Sequence, residues 1–240
     1  LFFEYLKPNP ADDINNEFFR ITFKRSDDLS SKYEEDKKIE DILRSGIEAG
    51  DNEYHIVGCS NSQVQSTSFI FKCGDIDEVH GLIEKEFIPS ILQQKRIAKR
   101  VKYAGLLFTD CKIVRLPPDT EVKHISDIKA NGFTFTDGCG LISVPLAKHI
   151  ARRILCGNRI PSIFQIRYYG YGYVCIGVLV IDYGETEKNV LSFRQSLRKI
   201  STLQQDLSSN ANNILRHKLG IVMWRRVGNI GRMSKQVMAL

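Results

Sequence analysis

The 240-residue sequence lacks a long apolar run: its longest, around Val174–Ile181, is far short of the about 20 residues a membrane-spanning helix needs. It lacks a signal peptide, so a secreted or membrane-anchored protein is not expected. Among its six cysteines (Cys59, Cys73, Cys111, Cys139, Cys156 and Cys175) there is no Cys-x-x-Cys, and no Cys/His set has zinc-finger spacing. Several sit in apolar runs such as Tyr173-Val174-Cys175-Ile176, and they read as reduced, buried thiols of an intracellular protein in the cytoplasm or nucleus. No Ser/His/Asp order and no phosphate-loop pattern occurs. Gly170-Tyr171-Gly172 lacks the third glycine and the following helix of a dinucleotide fingerprint. His149 and His217 lie near arginines and read as surface or phosphate contacts rather than metal ligands. Repeats and low-complexity tracts are missing as well.

What is present is an ordinary globular composition, with 42% hydrophobic and 26% charged residues. A chain of this length makes one or two domains with an adequate core. The formal charge is +6, a mild bias that permits nucleic-acid binding without demanding it. Its distribution is uneven. Residues 1–90 are acid-rich, with Asp12, Asp13, Asp27, Asp28, Glu34, Glu35 and Asp36. Basic residues gather later, at Lys95-Arg96, Lys99-Arg100-Lys102, Arg152-Arg153, Arg198-Lys199 and Arg225-Arg226, where a polyanion would be drawn. The plain alternative for any one of these is a solvated face. The chain opens at Leu1 and closes inside a helical pattern, so both ends read as cut from something larger.

Phe18–Phe23 is β-branched and aromatic and predicts a strand. Ile39, Ile42 and Leu43 recur at helical spacing between Tyr33 and the stop at Gly46. Ala49–Asn52 is a turn, and His55–Gly58 and Ser68–Phe71 are short strands around a polar loop, Ser60–Gln63. A long amphipathic helix is expected over Asp77–Arg100, kinked at Pro89, with Val79, Leu82, Ile83, Phe87 and Ile91 on its core face. After Pro117-Pro118 short strands alternate with tight turns. Gly132–Phe135, Leu141–Ser143, Ile163–Tyr169, Tyr173–Ile181 and Val190–Phe193 read as strands, and Pro145–Leu155 as a helix with proline in its first turn. Such crowding predicts a small six-stranded closed barrel over residues 115–200. Residues 201–213 read as loop, Arg216–Trp224 as a strand and Met233–Leu240 as the start of a helix. These features alone say a soluble α+β domain pair, with nucleic-acid binding open.

Three segments carry more chemistry. Phe135–Ser143 sets two glycines, Gly138 and Gly140, and Asp137 between apolar strand ends, a backbone-defined turn with one carboxylate on show. In Pro161–Tyr168, strand alternation puts Gln165 and Arg167 on one face and Phe164, Ile166 and Tyr168 on the other. Phe193–Lys199 places Arg194, Ser196, Arg198 and Lys199 together after a strand, groups that suit phosphate oxygens. The structural alternative for Arg167 is an ion pair with Asp137 or Asp182 inside the fold.

These segments resemble the cellular RNA-dependent RNA polymerases of RNA silencing. That family carries an Asp-Gly-x-Gly-x-Ile-Ser turn, then Pro-Ser-x-Phe-Gln-x-Arg-Tyr, a Gly-Val-Leu-x-x-Asp strand and an Arg-Pro-Ser-Met-x-Lys segment. Thr136–Ser143, Pro161–Tyr168, Gly177–Asp182 and Arg194–Lys199 follow in that order. Earlier, Phe18–Phe23 is similar to the family's Phe-x-Arg-Val-Thr-Phe strand and Gly58–Gln63 to its Gly-x-Ser-Asn-Ser-Gln segment. Near the end, Ser234–Met238 is similar to its Asn-Arg-Gln-Ile segment.

The resemblance implies a polymerase core of two facing double-psi β-barrels. Residues 1–115 would be a neck or linker region, 116–200 the first barrel, and 201–240 a loop, strand and helix start leading toward the second. Gln165, Arg167, Arg194, Ser196, Arg198 and Lys199 would contact RNA or nucleotide, with Asp137, Gly138 and Gly140 forming a structural turn. The implied partners are an RNA template, nucleoside triphosphates and other RNA-silencing proteins. The family's second barrel holds Mg²⁺ through Asp-x-Asp-Gly-Asp. No such stretch occurs in these 240 residues, so the fragment is expected to be inactive alone. Two departures stand out. Ile176 occupies the place of a family lysine, after a loop, Tyr171–Val174, that reads as lengthened, and Arg194-Gln195-Ser196-Leu197 replaces Arg-Pro-Ser-Met. Ile176 favours the alternative of a non-catalytic RNA-binding relative. An unrelated metabolic α+β enzyme is the third reading.

Overall fold

A computed structural model describes residues 18–24, 32–77, 81, 91, 93, 95–155, 160–201 and 217–225, which divide into two units. The first holds the described residues up to Asp110, together with Tyr168–Cys175 and the stretch from Arg198 to Ser201; the second holds Cys111–Arg167, Ile176–Leu197 and the residues from His217 onward.

In the first unit, β1 (Phe18–Thr22), β2 (Ile47–Ala49), β3 (Asn52–Gly58) and β4 (Ser68–Cys73) form a four-stranded sheet in the order β1-β4-β3-β2, antiparallel throughout. Helix α1 (Lys32–Ser45) ends at Gly46, as its spacing predicts, and Ile39, Ile42 and Leu43 are half-buried while the charged positions face solvent. The expected polar loop at Ser60 is instead a short helix, α2 (Asn61–Gln65). Its start is a reciprocal capping box: the Gln63 amide N–H donates to Ser60 Oγ at 3.3 Å, and the Ser60 N–H donates to Gln63 Oε1 at 2.7 Å. Two otherwise orphaned backbone donors are thus satisfied. Most of the long helix expected over 77–100 lies outside the described residues. Helix α3 (Ile97–Leu107) runs beyond Arg100, and its end packs Phe108 over Gly58 so closely that a Cβ there would lie 2.4 Å from the ring. Phe71, Ile70 and Tyr54 are buried at the centre of this sheet.

The second unit opens with β5 (Lys112–Arg115), β6 (Glu121–Ile125), the small hairpin β7 (Lys129–Ala130) and β8 (Phe133–Thr134), and β9 (Cys139–Ser143). Helix α4 (Val144–Leu155) turns Leu146, Ala147, Ile150, Ala151 and Ile154 inward. Then come β10 (Ile163–Gly170), β11 (Tyr173–Asp182), β12 (Val190–Arg194) and β14 (Lys218–Arg225), while β13 (Arg198–Ser201) and the facing ends of β10 and β11 belong to the first unit. The main sheet runs β5-β14-β10-β11-β9-β12-β6, with β13 paired to the start of β11 in the first unit. It is mixed: β9 and β11 pair parallel, as do β6 and β12, whereas β9 with β12 and β5 with β14 are antiparallel. The readings at 202–216 and Met233–Leu240 lie outside the described residues.

Two sequence expectations are corrected here. Tyr171 and Gly172 are consecutive left-handed residues (φ 55° and 74°), the geometry of a tight two-residue hairpin, so the connection is not a lengthened loop and Val174 is already in the strand. The other concerns β10. Phe164, Ile166 and Tyr168 are buried as alternation requires, but Arg167 is buried too, at 5% exposure, so the opposite face is also covered there.

Gly177 fixes the packing of the turn on β11. A Cβ there would lie 2.1 Å from the Gly138 carbonyl oxygen and 2.5 Å from Leu197 Cδ2. Gly177→Ala is therefore expected to destabilise the fold by about 1–3 kcal/mol or more, read as a lower midpoint in urea unfolding. A wild-type midpoint would show that the turn can move away at no cost.

Candidate functional site

Asp127 is the hub of the turn region. Its carboxylate accepts from Ser196 Oγ at 2.6 Å, from the Ser196 N–H at 3.0 Å and from Thr136 Oγ1 at 3.0 Å. Thr136 Oγ1 in turn accepts from the Ile128 N–H at 2.9 Å, and Ser196 Oγ accepts from the Gly138 N–H at 3.0 Å. Arg194 donates to the Ser126 carbonyl beside it. Burial pushes the Asp127 carboxyl upward, but the hydrogen bonds from Ser196 and Thr136 and the nearby Arg194 charge outweigh it, so it titrates below its ordinary value. Residues far apart in sequence (127, 136–138 and 194–196) are thereby tied into one corner. Beside it lies an open cleft of about 500 Å³ whose lining includes Asp127, Lys129, Phe133, Asp137, Gln195 and Ser196.

The structure places the sequence-selected residues as follows. Ser196 lies in a single 3₁₀ turn, Gln195–Leu197, with its hydroxyl engaged by Asp127 and Gly138. Gly138 is the left-handed residue of the turn (φ 68°), whereas Gly140 lies buried in β9 and is small for another reason: a Cβ would meet the Ser192 carbonyl at 2.5 Å. Asp137 is exposed at the cleft. Arg194 is buried, and its charge also bears on Cys139, whose thiol is raised by burial and partly lowered by that cation.

Arg167 is buried beside Cys111, and burial lowers its guanidinium to about 10, still cationic at neutral pH. Its backbone is approached by Gly220 of β14, where a Cβ would lie 3.3 Å from Arg167 Cβ and 2.7 Å from Cys111 Sγ. Gln165 is half-buried. Arg198 and Lys199, in the first unit, are half-buried, with the Arg198 guanidinium 4.8 Å from the centroid of Tyr173. The neighbouring Cys175 thiol is pushed up to about 12 by burial, against the Arg198 charge.

The structure therefore brings Asp137, Gly138, Arg194 and Ser196 to one corner. Sequence reasoning missed Asp127, which sits in an unremarkable Ser-Asp pair with no periodic or spacing signal; only its partners' segments stood out.

A strand-rich α+β chain, with a turn pinned by half-buried polar groups and cations distributed over two units, is the class the structure defines. Residues 12–240 match the family model described as RNA dependent RNA polymerase, and the chain belongs to that family. It is 28% identical over 206 residues to RNA-dependent RNA polymerase 1 of Arabidopsis thaliana, which covers 79% of this chain and 18% of that protein. It is 30% identical over 216 residues to Probable RNA-dependent RNA polymerase 1 of Oryza sativa subsp. japonica, covering 81% of this chain and 27% of that one. The solved structure of RNA dependent RNA polymerase QDE-1 from Thielavia terrestris shares its fold at a TM-score of 0.58 and 15% identity, over 87% of this chain and 24% of that chain. The chain thus spans well under a third of each of these relatives.

Because the Asp127 carboxyl is depressed in the folded state, its contribution is present above the unfolded value of about 3.9 and is lost as pH falls through the folded value. Asp127→Asn should cost about 0.5–1.5 kcal/mol near neutral pH, since it replaces an acceptor oxygen facing half-buried donors. The gap to wild type should stay flat down to about pH 5 and shrink below about pH 4. Chemical unfolding at a series of pH values measures it, and a gap independent of pH would show that the charge plays no part.

Proposed function

We propose that this chain is part of an RNA-directed RNA polymerase that copies single-stranded RNA into double-stranded RNA for gene silencing, and that it contributes template and nucleotide contacts. Membership of the family over residues 12–240 carries the reading. Within it, residues 116–200 make up the first double-psi β-barrel, residues 1–115 a neck, and 201–240 the passage toward a second barrel. The interleaving of parallel and antiparallel pairs among β6, β9, β11 and β12 supports a barrel of that kind over a simple meander. The protein acts inside the cell on RNA and nucleoside triphosphates, alongside other silencing proteins. Among the described residues no helix is long and apolar enough to cross a membrane.

Phosphoryl transfer in this family is expected to need Mg²⁺, which would activate the nucleophile and offset developing charge. Among the described residues the donors do not suit that ion. Asp127 spends its oxygens on Ser196 and Thr136, and among the described residues no three potential ligands converge. No chemical step is therefore assigned to these residues, and the proposal places the metal-holding carboxylates outside the sequence. What the chain supplies is shape and positive charge. Arg198, Lys199 and Gln165 retain access to solvent and are the candidates for direct phosphate, sugar or base contacts. Arg167, Arg194 and Ser196 are engaged inside the fold, and support those contacts by fixing the backbone around them.

Two outcomes test this. In single-stranded RNA binding across a salt series, Arg198→Ala with Lys199→Ala should weaken affinity and flatten the salt dependence by roughly 0.7–1 unit of slope per cation. Melting temperature is the control, since loss of the Arg198–Tyr173 stack costs only about 0.5–1 kcal/mol at such a site. Unchanged affinity in a folded double variant refutes the assignment. The purified 240-residue chain should also fail to incorporate labelled nucleotide on a template, and incorporation above background would overturn the placement of the metal site.

A further inference from the structure

Helix α3 carries a feature that the polymerase reading leaves unused. From Lys95 to Thr109 the sequence holds five cations (Lys95, Arg96, Lys99, Arg100 and Lys102) and no acid. The next residue, Asp110, is already ion-paired with Arg20. The C-terminal half of α3 is the anchored half: Gly105 and Leu107 are buried, Phe108 lies over Gly58, and Gly105 faces Asn61 and the Cys59 carbonyl. The N-terminal half stands out from the sheet. Lys95, Arg96, Ile97, Ala98, Lys99, Val101 and Lys102 are all exposed. Among the described residues no carboxylate pairs with Lys95, Arg96 or Lys102. Lys99 leans over the Tyr103 ring at 5.5 Å.

This charge is placed against the helix's own electrostatics. The N-terminal end of a helix carries partial positive charge and favours acids, yet the first turn of α3 has none, and no side chain caps it. Cations there lower helix stability, and among the described residues no acid in that turn offsets them. An external polyanion would compensate. At about 1.5 Å of rise per residue the cations from Arg96 to Lys102 extend along about 9 Å of helix, enough to meet more than one phosphate of a nucleic-acid strand. An anionic membrane fits less well, because the exposed apolar contribution is only Ile97 and Val101, not the broad bulky face an interfacial helix inserts.

We propose that the N-terminal half of α3 is a phosphate-backbone site for RNA, sequence-independent and separate from Arg198 and Lys199. The proposal rests on the RNA reading above and adds a second place of contact. The test uses three forms of the full 240-residue chain: wild type, Arg96→Ala with Lys99→Ala and Lys102→Ala, and Arg198→Ala with Lys199→Ala. Binding of a labelled single-stranded uridine oligonucleotide is followed by anisotropy from about 50 mM to 200 mM salt, where phosphate contacts lose most affinity. Phosphatidylserine vesicles and thermal melting are run in parallel.

The triple variant should bind RNA at least about tenfold more weakly, with a salt slope shallower by about 2, the release expected for three contacts to a single strand. Its melting temperature should be equal or higher, because the removed cations opposed the helix dipole. Wild-type affinity and slope in the folded triple variant overturn the proposal. A lowered melting temperature, or loss of vesicle binding with RNA binding intact, overturns it as well. If the Arg198/Lys199 variant loses RNA and the triple variant does not, only this proposal falls. If wild type binds no RNA even at low salt, the RNA-contact reading falls with it.

Discussion

The contact between the Gly138 carbonyl and the backbone of β11 is the constraint on which the second unit depends. That oxygen accepts from the Val178 N–H at 2.9 Å and lies where a side chain at 177 would project. Gly140, one step along, has equally little room beneath Ser192, Leu179 and Leu197. Without side chains at 140 and 177, β9 can lie between β11 and β12 with the turn folded flat against it. Leu197, buried at this junction, then fixes where the chain leaves β12, and the Ser196 hydroxyl is delivered to Asp127 and Gly138. The polar corner is therefore a consequence of close packing as much as of hydrogen bonding. Each part would be weak alone: one hydrogen bond nets about 1 kcal/mol, whereas an unsatisfied buried donor costs about 1–3 kcal/mol.

The same packing sorts the chain's cations. Buried guanidiniums are retained where the fold supplies oxygen acceptors, as Arg194 finds at Ser126 and Arg167 at the Ile166 carbonyl, 2.9 Å away. Such groups set local backbone geometry and pay for it in desolvation, which is why burial lowers Arg167 toward neutral. Cations that keep contact with water, half-buried on β13 and exposed at the start of α3, remain within reach of a mobile polyanion. Two arginines a few residues apart, Arg194 and Arg198, thus have different physical roles despite lying in one sequence segment.

Much of this was legible in the sequence. Helical spacing located α1 and α4, and runs of β-branched and aromatic residues located β1, β10, β11 and β12. The capping box at Ser60 was also legible in principle, since Ser-x-x-Gln before a valine is its signature, but four polar residues in a row read more readily as loop. The exposure of Arg167 was not legible. Alternation says which residues share a face and says nothing of whether both faces are covered, as they are here, where β14, some fifty residues downstream, lies edge-on against Arg167. Asp127 was invisible for a similar reason, as two of its three hydrogen bonds come from Ser196, 69 residues away, which only the tertiary fold brings near. The requirement for glycine at 177 also follows from a neighbour some forty residues away rather than from any local turn.

The isoleucine at 176 can be read in the same terms. Val174, Cys175 and Ile176 are consecutive and all buried, so both faces of β11 are covered at this point. In a strand covered on both sides, an ammonium would have to find a buried counter-charge or bend away along its methylene stem to water. The adjacent Cys175 cannot serve as that counter-charge, because burial raises its thiol to about 12 and keeps it neutral. A branched aliphatic side chain satisfies this environment as it stands. Isoleucine here gives packing where a lysine would be a solvent-seeking charge.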